Sequence, residues 1–333
     1  MALDLLVPDL LLPIDAPPSV RALRLPALEK WLAASRIERV GMRTATTWLA
    51  NEFHLPVPAP VAAVSLAAES RVPDGPWLRA DPVHVRMGRN SMTLHSAAIL
   101  DIERKEADAL LAALQEHFRG DGFEFAAPSP ERWYVRVPPG ELPDSTPLEE
   151  ALGRDLLGLL PVSRGKLNWR STLTEAQMLL AAHDVNARRE KEGRPAINSV
   201  WFWGGGELPG HVAAPYRTIH ADDVFARGLA TLSDARLAGA PAALADIAHP
   251  DANSALVMID TLSRALNRGD DAAWCDAATA LERGWFEHLR AALDRFGGVR
   301  VILPGAKDSL VATLKRPSLL HWLRAPKALS AYA

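Results

Sequence analysis

Short apolar runs alternate with amphipathic stretches along most of this chain. Residues 3–7 form an apolar run around Asp4 that ends at Pro8, the pattern of a central strand in a parallel sheet. Leu28, Trp31 and Leu32 recur at helical spacing and predict a helix over 26–35, with Pro26 in a first-turn position where its missing N–H costs nothing. A second amphipathic segment covers 44–53, and a proline-rich turn region covers 55–60.

The texture changes between 72 and 138. Strand-like pieces at 77–79, 83–86 and 91–94 are separated by Pro82 and Gly88. A helix is expected over 102–118 from Leu110, Leu111 and Leu114, and another strand over 133–137. Strands around one helix predict a small inserted α+β domain. After a linker-like stretch at 138–147, alternation returns: helix at 174–189, strand at 198–203, helix at 221–232, strand at 254–259, helix at 271–296 and strand at 299–303. Asp222 and Asp223 suit the positive end of the second of these helices. The expected fold is α/β, a mainly parallel sheet flanked by helices, with a smaller insertion.

Composition narrows the function classes. The 333 residues are 48% hydrophobic and 23% charged, with a net charge of −3. Such a chain has a real core and no bulk basic field, so nucleic acid or an anionic membrane is not an expected partner. The N-terminal apolar stretch lacks a basic flank and is interrupted by Asp4, Pro8 and Asp9, so neither a signal peptide nor a spanning helix is expected. Cys275 is the only cysteine. A lone thiol on a helix face fits a reducing cytoplasm and an inert packing role.

Two polar constellations read poorly as sites on spacing alone. The run Trp201-Phe-Trp-Gly-Gly-Gly-Glu-Leu-Pro-Gly places Pro209 where a dinucleotide-binding loop requires glycine, so a tight structural turn is expected. His183, His211, His220 and His249 have no metal-motif regularity. Trp169, Trp201 and Trp203 are expected in the core.

The stretch from His183 to Gly206 is more specific. Its Asn186, Arg188, Gly193, Ala196 and Asn198, followed by Trp201-Phe-Trp-Gly-Gly-Gly, resemble a segment of the archaeal-type cofactor-independent phosphoglycerate mutases. Leu5-Leu-Val-Pro-Asp9 is similar to the strand that delivers that family's first metal-binding aspartate. Residues 26–33 resemble an early helix of the family, and Trp77-Leu-Arg-Ala-Asp-Pro-Val-His-Val resembles the entry to its inserted domain. The resemblance implies an alkaline-phosphatase-like domain from 1–71 plus 139–333, and an inserted domain at 72–138.

It also implies a chemistry. Two divalent ions, Mn²⁺ or Mg²⁺, activate a serine or threonine nucleophile and neutralise charge on the transferring phosphoryl group, held by anionic oxygens and histidines. Asp9 matches the first ligand, and Thr44, Thr46 or Thr47 stand in the nucleophile region, where a helix-capping role competes. The later ligands are missing. Ser263 falls at an aspartate position, Asn267 at a histidine position, and Gly305-Ala306 where the family has an Asp-His pair. Arg79, Asp81, His84 and His95, with Asn186 and Arg188, are candidates for a residual anion cleft or for structural roles.

The pattern also resembles proteobacterial RpfE-type regulatory proteins, and with the missing ligands this implies a cytoplasmic, non-catalytic protein without a cofactor. It would bind a protein or a phosphorylated small molecule. The alternative is a phosphoglycerate mutase or phosphatase with a rearranged Mn²⁺ or Mg²⁺ site around Asp9 and Thr44–Thr47.

Overall fold

A computed structural model describes residues 3–11, 16–69, 73–88, 91–247, 254–305, 307–315 and 324–332. The expected boundary at 72, and the positions of His249 and Ala306, lie outside the described residues. The strands are β1 (Leu3–Leu6), β2 (Arg36–Val40), β3 (Trp77–Met87), β4 (Met92–His95), β5 (Glu124–Ser129), β6 (Arg132–Arg136), β7 (Ser199–Gly206), β8 (Thr218–His220), β9 (Arg236–Ala238), β10 (Ala255–Met258), β11 (Val299–Pro304) and β12 (Ser309–Leu314). The chain divides into two compact units, Met1–His54 with Val212–Ala333, and Leu55–His211.

In the first unit one sheet runs β2-β12-β11-β1-β10-β8-β9. Neighbours from β11 through β9 are parallel, while β12 and β2 join antiparallel. All four β1 positions are buried, as a central strand covered on both faces requires. Leu3 and Leu5 pack with Val257, Val301, Trp31 and Phe296 in the main core. Asp4 alternates to the other face. There Arg300 Nε donates to it at 2.8 Å and the Tyr216 hydroxyl donates at 2.5 Å, while Arg300 also reaches Glu52 at 2.8 Å. The charge inside an apolar strand is thus matched by a cation and a phenol. The charged edge strand β2, with Arg36 paired to Glu38, resists pairing with another chain.

The second unit is an antiparallel sheet, β4-β3-β6-β5, with β7 on the other side of β3. Two expectations are corrected here. Residues 77–79 and 83–86 are not separate strands but parts of one long β3. Its partner on one edge is β6 over Trp77–Arg79 and β4 from His84 onward, so Pro82 falls in the interval between them, where a missing N–H is tolerated. The inserted unit is also wider than 72–138. The register from Val83↔Ser199 to Trp77↔Gly206 carries β7 into this sheet rather than the parallel one. With it come the helices Val61–Glu69 and Trp169–Ala181 and the core residues Trp169, Leu173 and Phe202.

The glycine run is a close-packing device rather than a turn or a phosphate cradle. A Cβ on Gly206 would lie 2.5 Å from the Pro60 Cβ and 2.9 Å from its Cα, and one on Gly204 would lie 2.9 Å from the Val61 Cβ. The start of the helix Val61–Glu69 therefore needs glycine beneath it. Gly206→Ala is expected to destabilise the protein by about 1–3 kcal/mol, since the obstruction is backbone as well as side chain. A urea titration reads this as a lower midpoint at unchanged slope.

Two expected helices are broken. The 174–189 segment stops at Ala181 and restarts at Asp184, where the His183 ring accepts from the Val185 N–H at 3.1 Å as an N-cap. The 271–296 segment stops at Gly284, whose Cβ position lies 3.0 Å from the Ala242 carbonyl, and resumes as Leu289–Phe296. Cys275 sits half-buried on the first piece, its thiol pushed up by burial and by Asp271 and Asp276. No helix among the described residues is long and apolar enough to cross a membrane.

Candidate functional site at the carboxyl ends of the parallel strands

In an open parallel sheet, ligand chemistry gathers beyond the carboxyl ends of the strands. Here that edge collects the residues following β1, β2, β8, β10 and β11: Asp9, Thr44, Asp222, Asp260 and Gly305. Each needs to be followed from the backbone outward.

Asp9 leaves β1 with φ of 60°, a left-handed conformation that aspartate tolerates better than most residues. The Trp274 indole donates to its carbonyl at 3.0 Å and fixes the turn. Burial pushes the Asp9 carboxyl above its ordinary range, and a hydrogen bond with the Ser263 side chain offsets part of that. The side chains of Asp9 and Ser263 therefore lie close together. They meet as a carboxyl and a hydroxyl.

Ser263 lies on the helix Thr261–Asn267, which begins directly after β10, and Asn267 follows four residues later on the same helical face. Ser263 is half-buried and Asn267 exposed. Between them, Arg264 places its guanidinium 2.5 Å from Asp260 and 3.5 Å from Asp222. The carboxylates that end β10 and β8 thus share an internal cation. Sequence reading missed Arg264; its spacing of four from Asp260 was the available signal.

Gly305 bridges Leu11 in parallel pairing, and a Cβ there would lie 3.0 Å from the Asp308 carbonyl and 3.4 Å from the Leu11 Cβ. An aspartate at this position would have to displace the backbone. Lys307 is exposed. Thr44 caps the helix Ala45–Glu52: its hydroxyl accepts from the Thr47 N–H at 3.1 Å, and the Thr47 hydroxyl accepts from the Thr44 N–H at 3.2 Å. Thr46 sits half-buried on the first turn of the same helix.

The residues expected at an anion cleft are held otherwise. Arg79 donates to Asp81 through Nε at 3.1 Å and Nη2 at 2.6 Å, and Trp203 donates its indole N–H to the second oxygen of Asp81 at 2.7 Å. The guanidinium lies over the Tyr134 and Trp203 rings at 5.0 and 5.6 Å. Asn186 donates to the Leu180 and Ile197 carbonyls and accepts from the Ile197 N–H, which is the backbone-holding role. Arg188 is exposed, and its neighbour Arg189 is the buried one. His84 and His95 stand opposite one another on β3 and β4. Trp169, Trp201 and Trp203 are all buried. His220 is half-buried and held below the usual histidine range, chiefly by burial.

Two hard divalent ions need several anionic oxygens and imidazoles converging within bonding reach. Among the described residues, no group of three or more histidine, cysteine, aspartate or glutamate side chains converges in that way. The side chains around Asp9 do not fit a two-metal centre.

A carboxyl whose folded pKa is raised binds its proton more tightly when folded. Its contribution is fully present below the ordinary value of 3.8 and is lost as pH rises through the raised folded value. At neutral pH an ionised Asp9 is therefore a burden. Asp9→Asn keeps an acceptor for Ser263 and suits the left-handed backbone, so the variant is expected to melt above the parent at pH 7. The gap should vanish in acid. Melting curves across pH check this; a lower melting temperature at pH 7 counts against the assignment.

No family model matches the chain. It is 25% identical over 152 residues to a probable 2,3-bisphosphoglycerate-independent phosphoglycerate mutase of Geobacter sulfurreducens, covering 45% of this chain and 38% of that protein. It is 27% identical over 159 residues to the 2,3-bisphosphoglycerate-independent phosphoglycerate mutase of Methanosarcina acetivorans, covering 45% and 37%. The match thus spans less than two fifths of either relative's length. Among solved structures, the PH0037 protein from Pyrococcus horikoshii superposes with a TM-score of 0.51 at 12% identity, over 99% of this chain and 92% of that one.

Proposed function

From the premise that this chain carries a phosphoglycerate-mutase-like scaffold, we propose that it is a non-catalytic regulatory or binding protein of the RpfE type. The observation that carries this reading is that the Asp9 carboxyl, held above its ordinary range by burial, has the Ser263 side chain beside it. The position where a second carboxylate would help hold a metal instead supplies a hydroxyl to the first carboxylate. Asn267 and Gly305 support the same reading, since neither supplies an anionic oxygen or an imidazole.

A metal-free scaffold of this kind keeps its fold and presents surfaces. Its partner is a second protein or a phosphorylated small molecule, it needs no cofactor, and with a single thiol it belongs in the cytoplasm. The rival reading, an active Mn²⁺- or Mg²⁺-dependent mutase or phosphatase, needs a free hydroxyl nucleophile. The Thr44 hydroxyl is instead engaged in a reciprocal cap.

Thermal melts test the proposal. A protein that binds neither Mn²⁺ nor Mg²⁺ in its folded state gains nothing from either by mass action. Its melting temperature is expected to be the same with excess Mn²⁺, with excess Mg²⁺ and with EDTA. A rise in Mn²⁺ that disappears in Asp9→Ala would overturn it.

A further inference from the structure

We infer that His84 and His95 form a chelate for a late first-row divalent ion that prefers imidazole, Zn²⁺ or Cu²⁺. The two residues are direct partners on the antiparallel β3–β4 ladder, and their ring centroids lie 6.2 Å apart with planes tilted by 41°. Ring nitrogens bind such ions at about 2.0–2.1 Å, which puts two rings on one ion roughly 5–6 Å apart between centres. The observed separation lies close to that range.

The tautomer is also set. His84 Nδ1 lies 2.8 Å from the Ala196 carbonyl, which can only accept, so Nδ1 carries the proton and Nε2 keeps its lone pair. A metal-binding histidine is commonly oriented in this way, through a carbonyl on its other nitrogen. The strand beneath is clamped as well: the Asn198 side chain accepts from the Val85 N–H at 2.7 Å and donates to the Val85 carbonyl at 2.9 Å. Both rings are half-buried, which leaves room for water to complete the coordination.

Arg86 sits at the next position of β3 on the same face and opposes a cation. An anion would welcome Arg86, but it would need both rings protonated. Arg86 therefore gives the test its sign. The site lies within Leu55–His211, apart from the edge that carries Asp9.

Calorimetric titration of the full untagged chain with ZnCl₂ and CuSO₄ near neutral pH is expected to show one stoichiometric site, copper binding more tightly than zinc. His84→Gln and His95→Gln should each weaken it by about tenfold or more. Arg86→Gln should strengthen it severalfold, and His211→Gln, an exposed histidine in the same unit, should leave it unchanged. Far-UV circular dichroism verifies that each variant is folded. Unchanged affinity in both histidine variants, weaker binding in Arg86→Gln, or phosphate binding in place of zinc overturns the inference.

Discussion

Replacing Asp81 by alanine is expected to cost about 3–5 kcal/mol of stability, the range for removing one partner of a buried ion pair. The carboxylate and the Arg79 guanidinium have side-chain exposures of 3% and 8%. Aromatic rings flank the cation at Tyr134 and Trp203, so it cannot turn out to water when its partner goes. The Trp203 indole N–H loses its acceptor at the same time. Asp81→Asn retains an acceptor without the charge and should fall between parent and Asp81→Ala. Urea unfolding monitored by tryptophan fluorescence measures both. An Arg79 poised for an anionic ligand predicts the opposite pattern, a mild stability loss and tighter anion binding in Asp81→Ala.

Arg189→Leu should be nearly as damaging, at about 3 kcal/mol. The Arg189 side chain is fully buried, and it donates to the Pro195 carbonyl at 2.8 Å, to Glu106 at 2.7 Å and to the Leu100 carbonyl. Its loss orphans two carbonyls and leaves Glu106 with the Glu103 N–H at 3.0 Å and a longer contact to Arg194 at 3.3 Å. One residue earlier, Arg188 is exposed, and Arg188→Leu is expected to change stability by no more than about 0.5 kcal/mol. The same unfolding experiment on both variants separates a core arginine from a surface one.

These two variants mark where the sequence was legible. Adjacent arginines in a helix point about 100° apart, and the apolar positions of Asp184–Lys191 are too few to show which one faces inward. The central strands read correctly because β1, β10 and β11 are buried on both faces and so nearly continuous in apolar residues. Polar edge strands such as β2 carry no such signal, with only Ile37 and Val40 apolar. The long β3 was divided at Pro82 because a proline in a strand normally argues against pairing, and only the tertiary arrangement supplies the gap that admits it.

The site was legible in part. Asp9 and Ser263 are 254 residues apart in sequence, and the fold brings their side chains close enough to interact. Arg264 escaped notice because a cation beside an expected metal position fits no ligand template. The widened inserted unit escaped for a related reason: an apolar strand announces burial, but not which sheet will bury it.

The central claim is that this scaffold has no metal-dependent phosphoryl-transfer chemistry of its own. The most direct measurement combines metal content with turnover: elemental analysis after purification in Mn²⁺-containing buffer, followed by assay of the same sample for interconversion of 3- and 2-phosphoglycerate. The predicted result is manganese well below one equivalent and no turnover above the buffer rate. Stoichiometric manganese with turnover, both abolished in Asp9→Ala, would contradict it.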